Sequence, residues 1–284
     1  MQRTQEIALI SLFGALHTVL SFIPGIWRSW MILILPLEGI ILGPARGFLA
    51  GFIGFAAGWT LRPRPEPVIF GLAEPIGVLC AAFIVKRKWH YAALAYVAML
   101  AAFFLHPITP NLPLWTLWDI YAAFVCILIF GLLTRGQQLI HKTNKRLDNL
   151  VVVFLCVLAF ALFIYELVNL RLYEAVGFSL LFVFGLFLVL RLKKRKRESH
   201  SWILAIAAFV GIEADVLTRI FIFVPLNFYE FMGVPSVFLP EIFVLGAFQT
   251  PIEAVFSVLA TVIIGVPLID HLKKLGLFDL ETRA

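Results

Sequence analysis

A chain of 284 residues that is 62% hydrophobic and 14% charged, with a mean hydropathy of +0.98, carries more apolar surface than a water-soluble core can bury. Its net charge of +6 and pI near 9.4 would point to nucleic acid in a soluble protein. Here the basic residues fall in short gaps between apolar runs, where they face anionic headgroups, so nucleic acid is set aside as a partner. The longest polar stretches, 134–149 and 191–201, are too short to bury a core of their own, which excludes a soluble domain.

The elements expected along the chain are ten transmembrane helices of an all-α polytopic protein: 7–24, 30–43, 45–60, 67–85, 91–105, 117–133, 150–168, 175–190, 202–226 and 250–269. A helix rises 1.5 Å per residue, so crossing about 30 Å of hydrocarbon takes roughly 20 residues. The second, third and fifth stretches are short, and the second and third are expected to be tilted, broken or shielded by neighbouring protein. The first has no small-residue cleavage site after it and is read as retained. Eighteen of the 23 Lys and Arg residues fall in or at the border of every second gap, among them Arg46 at the start of the third stretch, Lys86, Arg87, Lys88 and the run Lys193–Arg197. The alternate gaps hold only Arg28, Arg62, Arg64 and Arg171, and Arg219 is inside a span. By the positive-inside rule this places the chain in the cell membrane with both termini cytoplasmic.

The gaps on the other side, 24–30, 60–67, 106–116 and 225–249, are rich in Pro, Trp, Tyr and Asn. The last is long and apolar and is expected to fold over the outer surface as a cap or re-entrant piece. Trp27, Trp30, Trp59, Trp115, Trp118 and Tyr229 crowd this side and admit two readings, an interfacial belt or stacking walls for a flat ligand. Cys80, Cys126 and Cys156 each sit alone in an apolar run and read as packing residues.

Gly47, Gly51, Gly54 and Gly58 lie on one face of the third helix, where they let another backbone come close. Ser11, Gly14 and Ala15 form a smaller stripe on the first. Ionisable residues inside spans are a stronger signal, because a charge at mid-bilayer is expensive and faces a partner or a cavity. Glu38, Glu74, Glu213, Asp215, Arg219 and Glu253 qualify. Asp215 and Arg219, one turn apart, can pair within their own helix. Glu74, Arg219 and Glu253 reach similar outer-leaflet depths from three helices, either as a polar ligand pocket open to the outside or as unrelated structural pairs. No HExxH, GxSxG or GxxxxGK[ST] pattern occurs, the six histidines are scattered, and no enzyme, metal or cofactor is read from the chain.

The stretch LEGIILGPARGFLAGFIGF, residues 37–55, resembles the second-to-third helix junction of the substrate-binding (S) components of energy-coupling factor transporters, where a Gly-Pro pair joins a short helix to a glycine-striped one. TPIEAVFSVLATVIIGVPLIDHLKKLG, residues 250–276, resembles the last helix of that family, and Ser11 and Ala15 stand where the family carries a small-xxx-small pair, with Ser11 replacing its alanine. The family has six helices, so the resemblance implies four core helices in 1–90, four inserted helices in 91–192 and two core helices with the cap loop in 193–284. It implies capture of a vitamin or similar micronutrient from outside, by Trp27, Arg28 and Trp30 in the first outer loop, Glu74, then Arg219, Asn227 and Tyr229, and Gln249 and Glu253. It further implies a transmembrane coupling subunit and two ATPase subunits as partners, with the first helix, through Ser11, Gly14 and Ala15, in the sliding contact. Two other classes stay open: a non-transporting membrane scaffold on the same core, and an integral-membrane enzyme acting on a lipid-linked substrate.

Overall fold

Ion pairs and ring contacts at the helix ends establish how the chain runs back and forth. The computed structural model describes residues 3–23, 29–62, 68–135 and 201–275, and these are helical throughout apart from turns. In chain order they form α1 Arg3–Ser21, α2 Leu35–Leu42, α3 Pro44–Leu61, α4 Ala73–Val85, α5 Trp89–Leu105, α6 Trp118–Arg135, α7 Ser201–Phe223, the short α8 Phe228–Phe231 and α9 Leu239–Lys274. Arg46 pairs with Glu6 at 2.7 Å where α3 and α1 begin, and Arg62 Nη1 donates to the Phe22 carbonyl at 3.0 Å where they end, so these two helices run parallel. At the far ends of α5 and α7, His106 and Asn227 are 2.9 Å apart. The Phe130 and Trp202 rings, 6.0 Å apart, bring the end of α6 beside the start of α7. A Cβ at Gly43 would lie 3.7 Å from Lys86 Cε, so the α2–α3 corner and Lys86–Lys88 share one end of the bundle, called here the basic end.

Three helical stretches among the described residues are long and apolar enough to cross a bilayer: Val68–Val85, Leu114–Gly131 and Ser236–Lys274. The protein is therefore all-α and membrane-embedded by length and composition. The expected spans 150–168 and 175–190 lie outside the described residues. The second expected span is a 3-10 turn, Trp30–Leu33, followed by α2, whose eight residues are all buried. At about 12 Å α2 cannot cross hydrocarbon, and its backbone is covered by protein as a broken span requires. It ends at Gly43, φ 81° and ψ 178°, a conformation open to glycine alone, and Pro44 at once starts α3. Along α4 and α7, Gly77 and Gly211 bring the backbones together: a Cβ at Gly77 would lie 2.6 Å from the Gly211 carbonyl oxygen. In lipid, where apolar burial does not drive helices together, such close approach is the main source of helix association.

The glycine face of α3 is filled from inside the protein. A Cβ at Gly54 would lie 2.5 Å from His17 Cβ and Cγ, and one at Gly47 2.9 Å from the Glu38 carbonyl. The stripe on α1 divides: Gly14 is buried against Ala50 and Ile53 of α3, whereas Ser11 and Ala15 are exposed beside Leu12 and Leu16. Helices α5 and α6 share one apolar core with α4, α7 and α9. Tyr96 of α5 is fully buried and donates its hydroxyl to the Val210 carbonyl of α7 at 2.8 Å.

The 225–249 segment, expected as a cap or re-entrant piece, is helical for much of its length rather than a plain loop. It contains α8, a short turn and the first turns of α9, which spans 36 residues, about 54 Å of helix. Pro251, expected near the start of the last span, lies inside that helix. A proline has no N–H to donate to the carbonyl four residues back, here Ala247. Trp118 Nε1 of α6 donates to that carbonyl instead, at 3.2 Å, and Thr250 Oγ1 donates to Gly246 O at 3.0 Å. The helix continues because side chains replace the lost backbone bond.

Two outcomes follow. Trp118→Phe should cost about 1–3 kcal/mol by stranding the Ala247 carbonyl, and should cost less in a Pro251→Ala background, where a backbone N–H takes its place; a double-mutant cycle of reversible unfolding in mixed micelles measures the coupling. Gly54→Ala should destabilise by about 1–3 kcal/mol, because its methyl overlaps His17, whereas Gly246→Ala, whose Cβ meets nothing within 4 Å, should not lower the melting temperature.

Candidate functional site

Five ionisable residues from four helices form a buried chain. His17 of α1 is fully buried, with Nδ1 2.8 Å from Glu38 Oε1 on α2 and Nε2 3.1 Å from Glu74 Oε2 on α4. Glu74 Oε1 lies 3.5 Å from Arg219 Nη2 on α7, and Arg219 Nε donates to both oxygens of Asp215, each at 3.3 Å. Carboxylates only accept, so a ring with one at each nitrogen donates on both sides when both acids are ionised and then carries the positive charge that offsets them. Local structure aims these groups inward. Glu74 lies in the first turn of α4 just before Pro75, and Asp215 and Arg219 are one turn apart on the same face of α7.

Arg219 also faces a cavity of about 530 Å³ near the end of the bundle opposite the basic corner, within the size range of small-molecule sites. Its walls come from α6, α7 and α9, with Phe70, Thr116, Leu117 and Met232 from connecting segments. Phe70, Phe223 and Phe243 supply aromatic surface, and Thr116, Asp119, Arg219, Gln249, Thr250 and Glu253 are the polar residues lining it. Asp119 is 2% exposed at the start of α6; its Oδ2 accepts from the Thr250 hydroxyl of α9, and its Oδ1 accepts from the Ile120 N–H at 2.9 Å. Glu253, buried one turn along α9 from Gln249, completes the acidic side.

Of the residues expected to bind ligand, Arg219, Gln249 and Glu253 line the cavity. Glu74 does not line it but holds Arg219 from behind. Asp215 and Arg219 pair along α7, and the same guanidinium reaches Glu74 and the cavity wall. Trp30 is half-buried in its 3-10 turn, its N–H donating to the Ile23 carbonyl at 3.0 Å, away from the cavity lining. Asn227 is exposed in a left-handed conformation and contacts His106, and Tyr229 is buried with its hydroxyl donating to Glu230 at 3.0 Å; neither lines the cavity. Trp27 and Arg28 lie outside the described residues.

Trp30, Trp59, Trp115, Trp118 and Tyr229 do not wall the cavity, and Trp115 and Trp118 are exposed as a belt would have them. The aromatic walls are phenylalanines. Sequence reasoning missed His17, Asp119, Thr116 and Thr250. His17 had a usable signal: on α1 it lies three residues beyond Gly14 and so faces the same way, toward the α3 glycines. Comparison with protein-family models, with curated proteins and with solved structures finds no match to this chain.

Replacing Arg219 by Met leaves Glu74 and Asp215 facing one another without their shared cation. The variant should lose about 3–5 kcal/mol, and Asp215→Asn introduced on top should recover part of that loss, read as midpoints of reversible unfolding in mixed micelles.

Proposed function

We propose that this chain is the membrane-embedded substrate-capture subunit of an ATP-driven importer of the energy-coupling factor type, taking up a vitamin or similar micronutrient. The observation that carries the reading is the cavity of about 530 Å³ between α6, α7 and α9, apolar and aromatic in its walls with a few polar groups converging on it. In this reading the chain crosses the membrane ten times with both termini in the cytoplasm, because the alternation of basic gaps requires it. The cavity then opens near the extracytoplasmic face, where a scavenged nutrient arrives.

Capture at this position has a path to a coupling partner. A ligand touching Arg219 bears, through Glu74 and then His17, on α1. That helix turns His17 inward and leaves Ser11 and Ala15 exposed on its other side, where a close-approaching helix of a coupling subunit would sit. Gly14, whose face is occupied by α3, serves internal packing. The two ATPase subunits act through that coupling subunit, since this chain has no phosphate-binding loop of its own.

Protein purified from its native host should carry a small molecule identifiable by mass spectrometry. Arg219→Ala and Glu74→Ala should lose it while remaining in the membrane, and co-expression with a coupling subunit and two ATPases should yield a complex. A scaffold would keep its interactions in both variants and release no ligand, and an enzyme would turn over lipid when purified alone; either result removes the capture reading.

A further inference from the structure

Helix α9 is continuous, yet its two parts are held very differently. Beyond Pro251 every residue from 256 to 263 is buried, and the Ser257 hydroxyl donates to the Ile32 carbonyl at 2.7 Å. Before it, in residues 239–250, only Leu239, Phe243 and Ala247 are buried, a single row at one-turn spacing. We infer that this first part of α9 is a gate over the cavity, swinging about Pro251 and latched by Trp118 and Asp119 of α6. The gate rests on the capture reading and adds to it the ligand's way in.

Open space lies on both sides of this segment. Ile242, Phe243, Gly246 and Ala247 line the cavity of about 530 Å³, while Pro240, Glu241, Val244 and Leu245 line a groove of about 650 Å³ against the link 110–113 between α5 and α6. The two sets are offset by two residues, about 200° around a helix, so they face opposite ways. Close-packed side chains leave a helix nowhere to go, whereas a helix with space on two faces can shift between them. Displacement toward the groove widens the cavity at its outer rim, and displacement back closes it.

The pivot is where the backbone ladder of α9 is weakest. Pro251 has no N–H for the Ala247 carbonyl, and Gly246, whose Cβ would meet nothing within 4 Å, sets no side chain against the turn. What holds the turn comes from the start of α6: Trp118 Nε1 donates to the Ala247 carbonyl at 3.2 Å, and the Thr250 hydroxyl donates to Asp119 Oδ2. Ala247, Asp119 and Thr250 all line the cavity, so water can take over these bonds as the segment moves out. The Thr250 hydroxyl also reaches the Gly246 carbonyl at 3.0 Å, and keeps that acceptor on leaving Asp119. At its other end the segment joins α8 through Gly233, at φ 68° with nothing within 4 Å of where a Cβ would stand, which leaves slack there too.

Double electron–electron resonance on the full-length protein in nanodiscs measures the swing. Cys80, Cys126 and Cys156 are replaced by alanine, and spin labels are attached at Val237→Cys and Leu105→Cys, exposed positions near the outer ends of the gate and of α5. Ile264→Cys with Leu94→Cys, also exposed, is the control pair, on the part of α9 that should not move. About 18 Å of helix precedes Pro251, so a swing of roughly 20° carries position 237 by about 6 Å. The gate pair should show a longer component that vanishes in Pro251→Ala, where the backbone bond is restored, and grows at least about twofold when Trp118→Phe and Thr250→Val are combined. The control pair should keep one distance throughout. If the double variant does not fold, which the control pair reports, Pro251→Ala carries the test, since it removes no hydrogen bond. A gate pair as narrow as the control and unchanged by these substitutions overturns the gate and leaves the capture reading standing, because that reading is tested separately by the small molecule the purified protein carries.

Discussion

Burying charge below a bilayer surface is the constraint from which the rest of this architecture follows. Each of Glu38, Glu74, Asp215 and Arg219 would be costly alone, and none can be satisfied by its own helix except through the one-turn pair on α7. The pairing of Glu38 to His17 to Glu74 to Arg219 therefore requires α2, α1, α4 and α7 to meet in one register. A helix that slides by one turn breaks an ion pair in a medium that offers no water in exchange. Apolar packing in lipid provides no comparable penalty, so the ion chain is what makes the arrangement specific.

Close approach then becomes obligatory, and the glycines provide it. For His17 to reach both acids, its ring must lie where a side chain of α3 would otherwise be, and Gly54 leaves that space. Gly77 and Gly211 bring α4 and α7 near enough for Glu74 and Arg219 to meet. Gly43 turns the chain within a single residue so that α2 lies against α3 along the same face. Electrostatic and steric demands are met by different residues on the same helices, and neither set works without the other.

Much of the polar centre was legible because the sequence breaks a strong rule there: Glu74, Arg219 and Glu253 are charges in apolar surroundings, and their positions along the chain gave their depth. His17 breaks no such rule, since histidine is tolerated in many environments and its two partners are 21 and 57 residues away. Asp119 sits at the edge of an apolar run, where an acid reads as an ordinary helix start. The loop residues carried over by resemblance fared differently from the helix residues: Asn227 and Tyr229 are engaged by His106 and Glu230, partners that composition cannot foretell. The extension of α9 was hidden by Pro251, which normally marks a helix start. Only the indole of Trp118, 133 positions earlier in the count from Pro251, makes it compatible with a continuous helix.

The same pair of helices accounts for the cavity. Helix α6 and the 3-10 turn Leu114–Leu117 before it lie outside the stretches compared with the S components, yet the turn contributes Thr116 and Leu117 and the helix Asp119 and Ile120 to the wall, and α6 is tied to α9 twice, by Trp118 to Ala247 and by Thr250 to Asp119. The first tie fills the backbone bond that Pro251 deletes, and the second comes from the residue before the proline. Together the two ties hold α6 against α9 at the depth where Glu253 and Arg219 face the cavity. In the capture subunit proposed here, ligand chemistry is set on the α6–α9 side and coupling on the α1 side, with Arg219 and Glu74 between them. A change in the kind of nutrient carried would then need substitutions on α6 and α9 alone, leaving the buried ion chain and the exposed face of α1 intact.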